Sequence, residues 1–282
     1  MLIIKTIAEM RQFVSEARKN NRSVGLVPTM GYFHRGHLAL MEKAVQQCDV
    51  VVTSLYVNPL QFGPAEDFAA YPKDLERDAK LAESVGVDVI FAPTDREMYP
   101  AGFDTTVSVG DTITGKLCGL SRPGHFTGVA TVVTKLFNIV QPDKAFFGQK
   151  DAQQVLVIKR MVQDLNMNVE IVPVPIVREK DGLAMSSRNV YLTPEQRQAA
   201  TVLYKSLQLA QEQVKKGQRD GAEICRLVKE KINSEPLAEL DYVEIYSYPE
   251  LKSIDKINGA ALLAVAAKFG LARLIDNIIL EA

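Results

Sequence analysis

Val24-Gly25-Leu26-Val27-Pro28-Thr29-Met30-Gly31-Tyr32-Phe33-His34-Arg35-Gly36-His37 runs from an apolar stretch through a glycine-bearing turn into a helical pattern, and it holds two of the chain's three histidines. Val24–Val27 reads as a short buried strand, while Leu38, Met41, Ala44 and Val45 recur at helical spacing, so His37 is predicted to open the helix. A helix start offers unpaired backbone N–H groups and roughly half a positive charge, which suits a nucleotide's phosphates. Gly31 and Gly36 let the backbone come close to such a ligand. Taken alone, a His-x-Gly-His pattern is equally compatible with an ordinary strand-to-helix turn carrying two surface histidines. Segments elsewhere in the chain have to decide.

Outward from this stretch, strand-like runs at Val24–Val27, Val50–Val57, Val87–Phe91, Ala145–Phe147 and Val169–Val174 alternate with amphipathic stretches. That alternation predicts an α/β fold, a parallel sheet with helices on both faces. One helix is marked by Val129, Val132, Val133, Leu136, Phe137 and Val140, an apolar face suited to core packing. Open sheets of this kind bind ligands beyond the carboxyl ends of their strands. The histidine turn, Asn58–Phe62 and Gly148–Asp151 all follow strand candidates and could converge on one crevice.

Near Glu179-Lys180-Asp181-Gly182 the texture changes, which places a domain boundary just beyond this polar turn: 1–188 as a nucleotide- and substrate-binding domain and 189–282 as a small C-terminal lid of mixed α and β structure. Thr193-Pro194-Glu195-Gln196 reads as a capped helix start, and Asp220 with Glu223 repeats the arrangement. Tyr242–Tyr246, Ala260–Ala267 and Leu271–Ile275 read as strands.

With 282 residues, 47% hydrophobic and 24% charged, the chain has the size for two domains and the composition of a soluble globular protein. A formal net charge of -1 supplies no field for nucleic acid or an anionic membrane, so an anionic ligand must be held by local groups. Cys48, Cys118 and Cys225 are odd in number and lack paired metal-type spacing, as expected of reduced, buried thiols in a cytoplasmic protein. Met1–Lys5 is too soon interrupted by charge to be a signal peptide, and Ala260–Ala267 falls well below the roughly 20 apolar residues of a spanning helix.

Six segments then take the reading further: Val27–Gly31 with the two histidines, Tyr56–Phe62, Tyr71–Lys73, Ser121–Phe126, Phe147–Asp151 and Asp181–Asn189. In these, and in this order, the chain resembles the pantothenate synthetase family. That family lies within the nucleotidyltransferase superfamily, which shares its His-x-Gly-His loop with class I aminoacyl-tRNA synthetases. The resemblance covers essentially the whole chain and implies a Rossmann-like domain that binds ATP and pantoate.

It further implies that Pro28, Thr29, Met30, Gly31, Tyr32, Phe33, His34, Arg35, Gly36 and His37 bind ATP together with Gly148, Gln149, Lys150, Asp151, Val177, Met185, Ser186, Ser187 and Arg188. Among these, His34, His37, Lys150 and Arg188 are the expected catalytic set. His37 stabilises charge as pyrophosphate leaves, Lys150 meets the α-phosphate, and Met185–Arg188 corresponds to a mobile nucleotide loop. Gln61 and Gln154 are expected to hold pantoate, with Asn58 and Arg122 in the same wall, and Gln61 also to meet β-alanine. His125 is read either as part of that wall or as a brace for its turn. Asp78 is read either as reaching Mg²⁺ or as an exposed helix carboxylate; Mg²⁺ itself is expected with the substrate phosphates.

The implied reaction is the ATP-dependent condensation of (R)-pantoate with β-alanine, through a pantoyl-adenylate, to pantothenate, AMP and pyrophosphate. The implied assembly is a homodimer. Two rivals are a nucleotidyltransferase that keeps the nucleotide on its product and a sensing module that has lost turnover. The second would lack His37, Lys150 or Arg188, and all three are present.

Overall fold

The computed structural model describes residues 1–64 and 66–282. In chain order its strands are β1 (Leu2–Ile4), β2 (Val24–Thr29), β3 (Val50–Leu55), β4 (Val89–Phe91), β5 (Lys144–Gly148), β6 (Glu170–Val174), β7 (Glu239–Ser247), β8 (Ala260–Phe269) and β9 (Ala272–Glu281). The helices are α1 (Ile7–Lys19), α2 (Arg35–Val45), α3 (Leu75–Ser84), α4 (Asp95–Met98), α5 (Asp111–Thr114), α6 (Leu117–Ser121), α7 (His125–Val140), α8 (Ala152–Asp164), α9 (Pro194–Ala199), α10 (Val202–Lys215) and α11 (Gly221–Asn233). Where a single cut after Arg188 was expected, the chain divides discontinuously. One unit comprises Met1–Gly110, Arg122–Gln149 and Gln154–Pro175; the other comprises Asp111–Ser121, Lys150–Gln153 and Ile176–Ala282.

The first unit is a six-stranded sheet in the order β1-β4-β3-β2-β5-β6, parallel throughout. Parallel neighbours need long crossovers, and the helical segments between successive strands supply them. β2 and β3 are buried because Val24, Leu26, Val27 and Val50–Val52 leave no polar side to face water. Phe33, Leu40, Met41, Ala44, Ile90 and Phe146 pack around Val27 and Val51 as one core. The apolar face expected on α7 is buried as predicted, from Val129 to Val140.

Two differences from the sequence reading have local causes. α2 begins at Arg35, two residues before the predicted His37, because the cap is the His34 side chain, which accepts from Gly36 N–H. The apolar repeat that betrays the helix starts only at Leu38. β1 was not anticipated: it is three residues long, too short to show a period.

The second unit carries the antiparallel sheet β7-β8-β9 with α9–α11. Thr193 and Gln196 close the expected reciprocal cap of α9. Asp220 caps α11 by accepting from Glu223 N–H, but the Glu223 carboxylate pairs with Arg226. Leu203, Leu207, Ile224, Val228 and Ile232 pack with Leu263, Val265, Phe269 and Leu274 as this unit's core. β9 runs well past the expected Ile275, because Asp276-Asn277 interrupts its apolar pattern without ending the strand.

Candidate active site

The turn after β2 lies where the strand order reverses, between β2 and β5, the position at which open sheets receive ligands. Its backbone enters the left-handed region at Gly31 (φ 90°) and Tyr32 (φ 53°). A non-glycine residue there costs energy that its surroundings must repay. Asp78 on α3 does so, accepting from Tyr32 N–H at 2.6 Å and Phe33 N–H at 2.7 Å. The neighbouring Arg77 donates to Phe33 O at 2.8 Å and stacks on the Tyr32 ring.

Burial pushes the Asp78 carboxyl up from its usual range, against the pull of these two amides and of Arg77. Its side chain is 0% exposed, so it is not an exposed helix carboxylate. Its two oxygens each accept from a loop amide. Among the described residues no group of three or more His, Cys, Asp or Glu could hold an ion. Asp78 is a brace for the histidine turn.

The same backbone fixes the histidine tautomers. Gly36 N–H donates to His34 Nδ1 at 3.1 Å, and His34 N–H donates to His37 Nδ1 at 3.2 Å. A backbone N–H can only donate, so each Nδ1 carries a lone pair and the neutral ring keeps its proton on Nε2. The rings lie 4.0 Å apart. Two imidazoles at the start of α2 are thus set up as Nε2–H donors, which is what phosphate oxygens need.

The turn Pro59–Gln61 lies against α7 so closely that a Cβ on Gly128 would fall 2.3 Å from Leu60 O. Arg122 grips Glu66 through Nε (2.7 Å) and Nη2 (2.5 Å), and its Nη1 lies 3.1 Å from His125 Nε2. A guanidinium cannot accept, so His125 Nε2 is the acceptor and its Nδ1–H donates to Gln61 O at 2.9 Å. Of the two readings of His125, the brace is the one observed. Arg122, expected among the substrate ligands, has its guanidinium directed at Glu66, His125 and Gln61 O.

Asn58 is 1% exposed, and its amide is fully subscribed. Nδ2 donates to Gln61 Oε1 and Gly128 O; Oδ1 accepts from Tyr99 OH and Leu60 N–H. Asn58 therefore orients Gln61 and has no bonding capacity left for a substrate. Gln61 Nε2 reaches Met30 Sδ at 3.3 Å, which brings the expected acid-side residue to the nucleotide-side turn. Gln154 is half-buried on the first turn of α8.

In the second unit, Lys150 sits in the 3₁₀ turn Gln149–Asp151, where its carbonyl accepts from Asn277 Nδ2 at 2.9 Å. Asp276, 2% exposed, takes a two-pronged grip from Arg178 at 2.6 and 2.9 Å. Burial raises the Asp276 carboxyl, and Arg178 opposes that rise most strongly, with Lys150 adding to it. Arg178 also donates to Gly182 O, and Arg197 ties down Asp181 and Glu179, so the polar turn preceding Met185–Arg188 is held by charge. Ser186 caps the turn Ser187–Tyr191 by accepting from Arg188 N–H, and Met185 N–H donates to Val177 O.

The sequence reading missed Tyr99, Arg178, Asp276 and Asn277. For the last two the signal was present, a polar pair inside an otherwise apolar strand.

A sequence model of the family described as Pantoate-beta-alanine ligase matches residues 2–279. A protein named pantothenate synthetase from Pelotomaculum thermopropionicum is 65% identical over 280 residues, 99% of each chain. One of the same name from Acetivibrio thermocellus is 57% identical, covering 100% of both. The crystal structure of pantothenate synthetase from Thermus thermophilus superposes with a TM-score of 0.94 at 50% identity, covering 99% of each chain. Pantoate-beta-alanine ligase from Francisella tularensis, a structure complexed with beta-gamma ATP and beta-alanine, superposes with a TM-score of 0.82 at 34% identity over 99% of this chain and 97% of that one.

Proposed function

The chain belongs to the pantoate-beta-alanine ligase family, and from that premise we infer how its residues divide the work. It is an ATP-dependent ligase that joins (R)-pantoate to β-alanine through a pantoyl-adenylate, giving pantothenate, AMP and pyrophosphate. A carboxylate is a poor electrophile. Attack by a pantoate oxygen on the α-phosphorus expels pyrophosphate and leaves AMP as a good leaving group. The amine of β-alanine then adds to the acyl carbon, loses a proton and displaces AMP. No covalent bond to the enzyme is required, so catalysis rests on positioning and charge stabilisation.

We propose that His34 and His37 donate Nε2–H to the phosphates, with Pro28–Phe33, Arg35 and Gly36 forming the bed of the nucleotide. Lys150 supplies charge to the α-phosphate, and Gly148, Gln149, Asp151, Val177, Met185, Ser186, Ser187 and Arg188 complete its surroundings. Gln61 and Gln154 take the acid. The pair of Nδ1-anchored imidazoles at a helix start carries this reading. Mg²⁺ enters with ATP as the metal of the substrate.

We also infer a homodimer acting in the cytoplasm. Three free thiols support a reducing compartment. Among the described residues no helix is long and apolar enough to cross a membrane.

The deciding experiment supplies ATP, Mg²⁺ and pantoate, then β-alanine. Pyrophosphate is expected before the amine is added, and pantothenate with AMP after it. Production of ADP and inorganic phosphate would overturn the adenylate route.

A further inference from the structure

Tyr99, directly after α4, makes no part of the reaction as described, yet its hydroxyl is spent in an unusual place: it donates to Asn58 Oδ1 at 2.7 Å. The Asn58 amide cannot be turned over. Gly128 O, which can only accept, faces Nδ2 at 3.0 Å, and Leu60 N–H, which can only donate, faces Oδ1. With Asn58 fixed, its second Nδ2 proton points at Gln61 and compels an acceptor there. Gln61 must offer Oε1, at 3.1 Å, which turns its NH₂ group away from Asn58. Two backbone groups thus determine, through two side chains, which end of the Gln61 amide a ligand meets.

We propose that Tyr99 is a positioning residue that works through Asn58 to lock the Gln61 amide with its N–H donors toward the acid. The proposal rests on the ligase reading for the identity of that acid. Its chemical content is a preference: Gln61 turns its N–H donors to an acceptor, such as a carboxylate or hydroxyl oxygen, while one lone pair of its Oε1 is already held by Asn58. The thioether of Met30, 3.3 Å from Nε2, is a weak acceptor that a carboxylate or hydroxyl oxygen readily outcompetes.

Tyr99 suits the role because its ring is held independently of the hydroxyl. Phe103 packs edge-on at 4.9 Å, Tyr56 lies at 6.2 Å, and Lys135 Nζ sits over the ring at 5.6 Å. Removing the oxygen leaves all three contacts in place. Asn58 Oδ1 then keeps only the long 3.4 Å bond from Leu60 N–H.

The test is a double-mutant cycle of Tyr99→Phe and Gln61→Ala, backed by NMR of the Gln61 side-chain amide, which is assigned by its loss in Gln61→Ala. Tyr99→Phe is expected to lower kcat/KM for pantoate about tenfold, the scale of one buried hydrogen bond, with the ATP KM unchanged. In the Gln61→Ala background the same change should have little effect. An equal loss in both backgrounds, or no loss in either, overturns the relay, since Tyr99 would then act independently of Gln61 or not at all. In the unliganded protein the Gln61 NH₂ should be rigid and become mobile in Tyr99→Phe; identical mobility in the two proteins also overturns it. The NMR arm stands apart from turnover. A wild-type protein that makes no pantothenate would sink the ligase reading while the amide measurement still judged the relay.

Discussion

Which proton a histidine keeps is decided by what its other nitrogen meets, and here both answers come from backbone N–H groups. His34 and His37 are neutral donors by construction, because a proton on either Nδ1 would confront a backbone N–H head-on. A leaving pyrophosphate also calls for full positive charge, and we propose Lys150 as its source on the adenylation side. Lys150→Ala is expected to slow adenylate formation by about 100- to 1000-fold, the usual effect of losing one preorganised donor. Single-turnover kinetics with an unchanged circular dichroism spectrum checks this, and near-normal adenylation would remove Lys150 from the set.

Asp78→Asn exchanges one acceptor oxygen for an NH₂ that faces a backbone N–H. It should cost about 1–3 kcal/mol in unfolding free energy and slow adenylation as well. Urea unfolding together with pyrophosphate release tests it; loss of activity without loss of stability would contradict a bracing role. The histidines and Lys150 were legible in the sequence because their chemistry is local. Asp78's partners are 45 and 46 positions away, a separation that periodicity cannot bridge.

At the scale of elements, the turn Pro59–Gln61 and helix α7 behave as one piece. The turn lies on Gly128, is pinned by His125 and Asn58, and is followed by the Glu66–Arg122 pair. The sequence marks α7 clearly through its valines, but nothing in a helical repeat says that Gly128 is a docking point. Gly128→Ala puts a methyl group where Leu60 O and Gln61 N already sit, and overpacking of that kind costs about 1–3 kcal/mol. Displacement of Gln61 should raise the pantoate KM while the ATP KM stays put; a matching rise in both would mean that the disturbance had spread beyond this turn.

The ion pair adds a pH dependence. Burial works to raise the Glu66 carboxyl, but the guanidinium of Arg122, helped by the Gly63 backbone and His125, holds the group below its ordinary value of 4.5. A carboxyl with a lowered folded value stabilises above its unfolded value, and that contribution disappears as pH falls through the folded one. Stability measured from neutral pH into the acid range should therefore fall less steeply in Glu66→Gln than in wild type. Parallel curves would show that the pair contributes nothing to folding.

Across the whole molecule, the alternation of strand and helix sufficed to anticipate the parallel sheet, and Thr193–Gln196 the capped start of α9, whereas the discontinuous grouping of the chain's contacts leaves no mark in a linear reading. Asp111–Ser121 and Lys150–Gln153 belong with residues far downstream: Lys116 donates to Leu251 O, Ser121 to Asp241 and Asn277 to Lys150 O, while Gln153 joins the two segments through Ile113 O and Lys116 O. Such pairings have no sequence period. The reaction as a whole has its own signature: one pantoate carboxylate oxygen bridges to AMP and departs with it. Pantoate labelled with ¹⁸O in its carboxylate should deliver label to AMP, which mass spectrometry can read. Unlabelled AMP alongside accumulating pantothenate would refute the adenylate while sparing the ligase.

The hydrogen bond from Asn277 to the carbonyl of Lys150 spans 127 positions and closes only on β9. During synthesis the ribosome delivers every strand of the parallel sheet before it delivers β9. A nascent chain therefore has its histidine turn assembled early, while the backbone carrying the lysine waits for nearly the last strand to dock. If the proposed division of labour holds, a half-made chain would shape the bed for the phosphates before the lysine that acts on them is tied down.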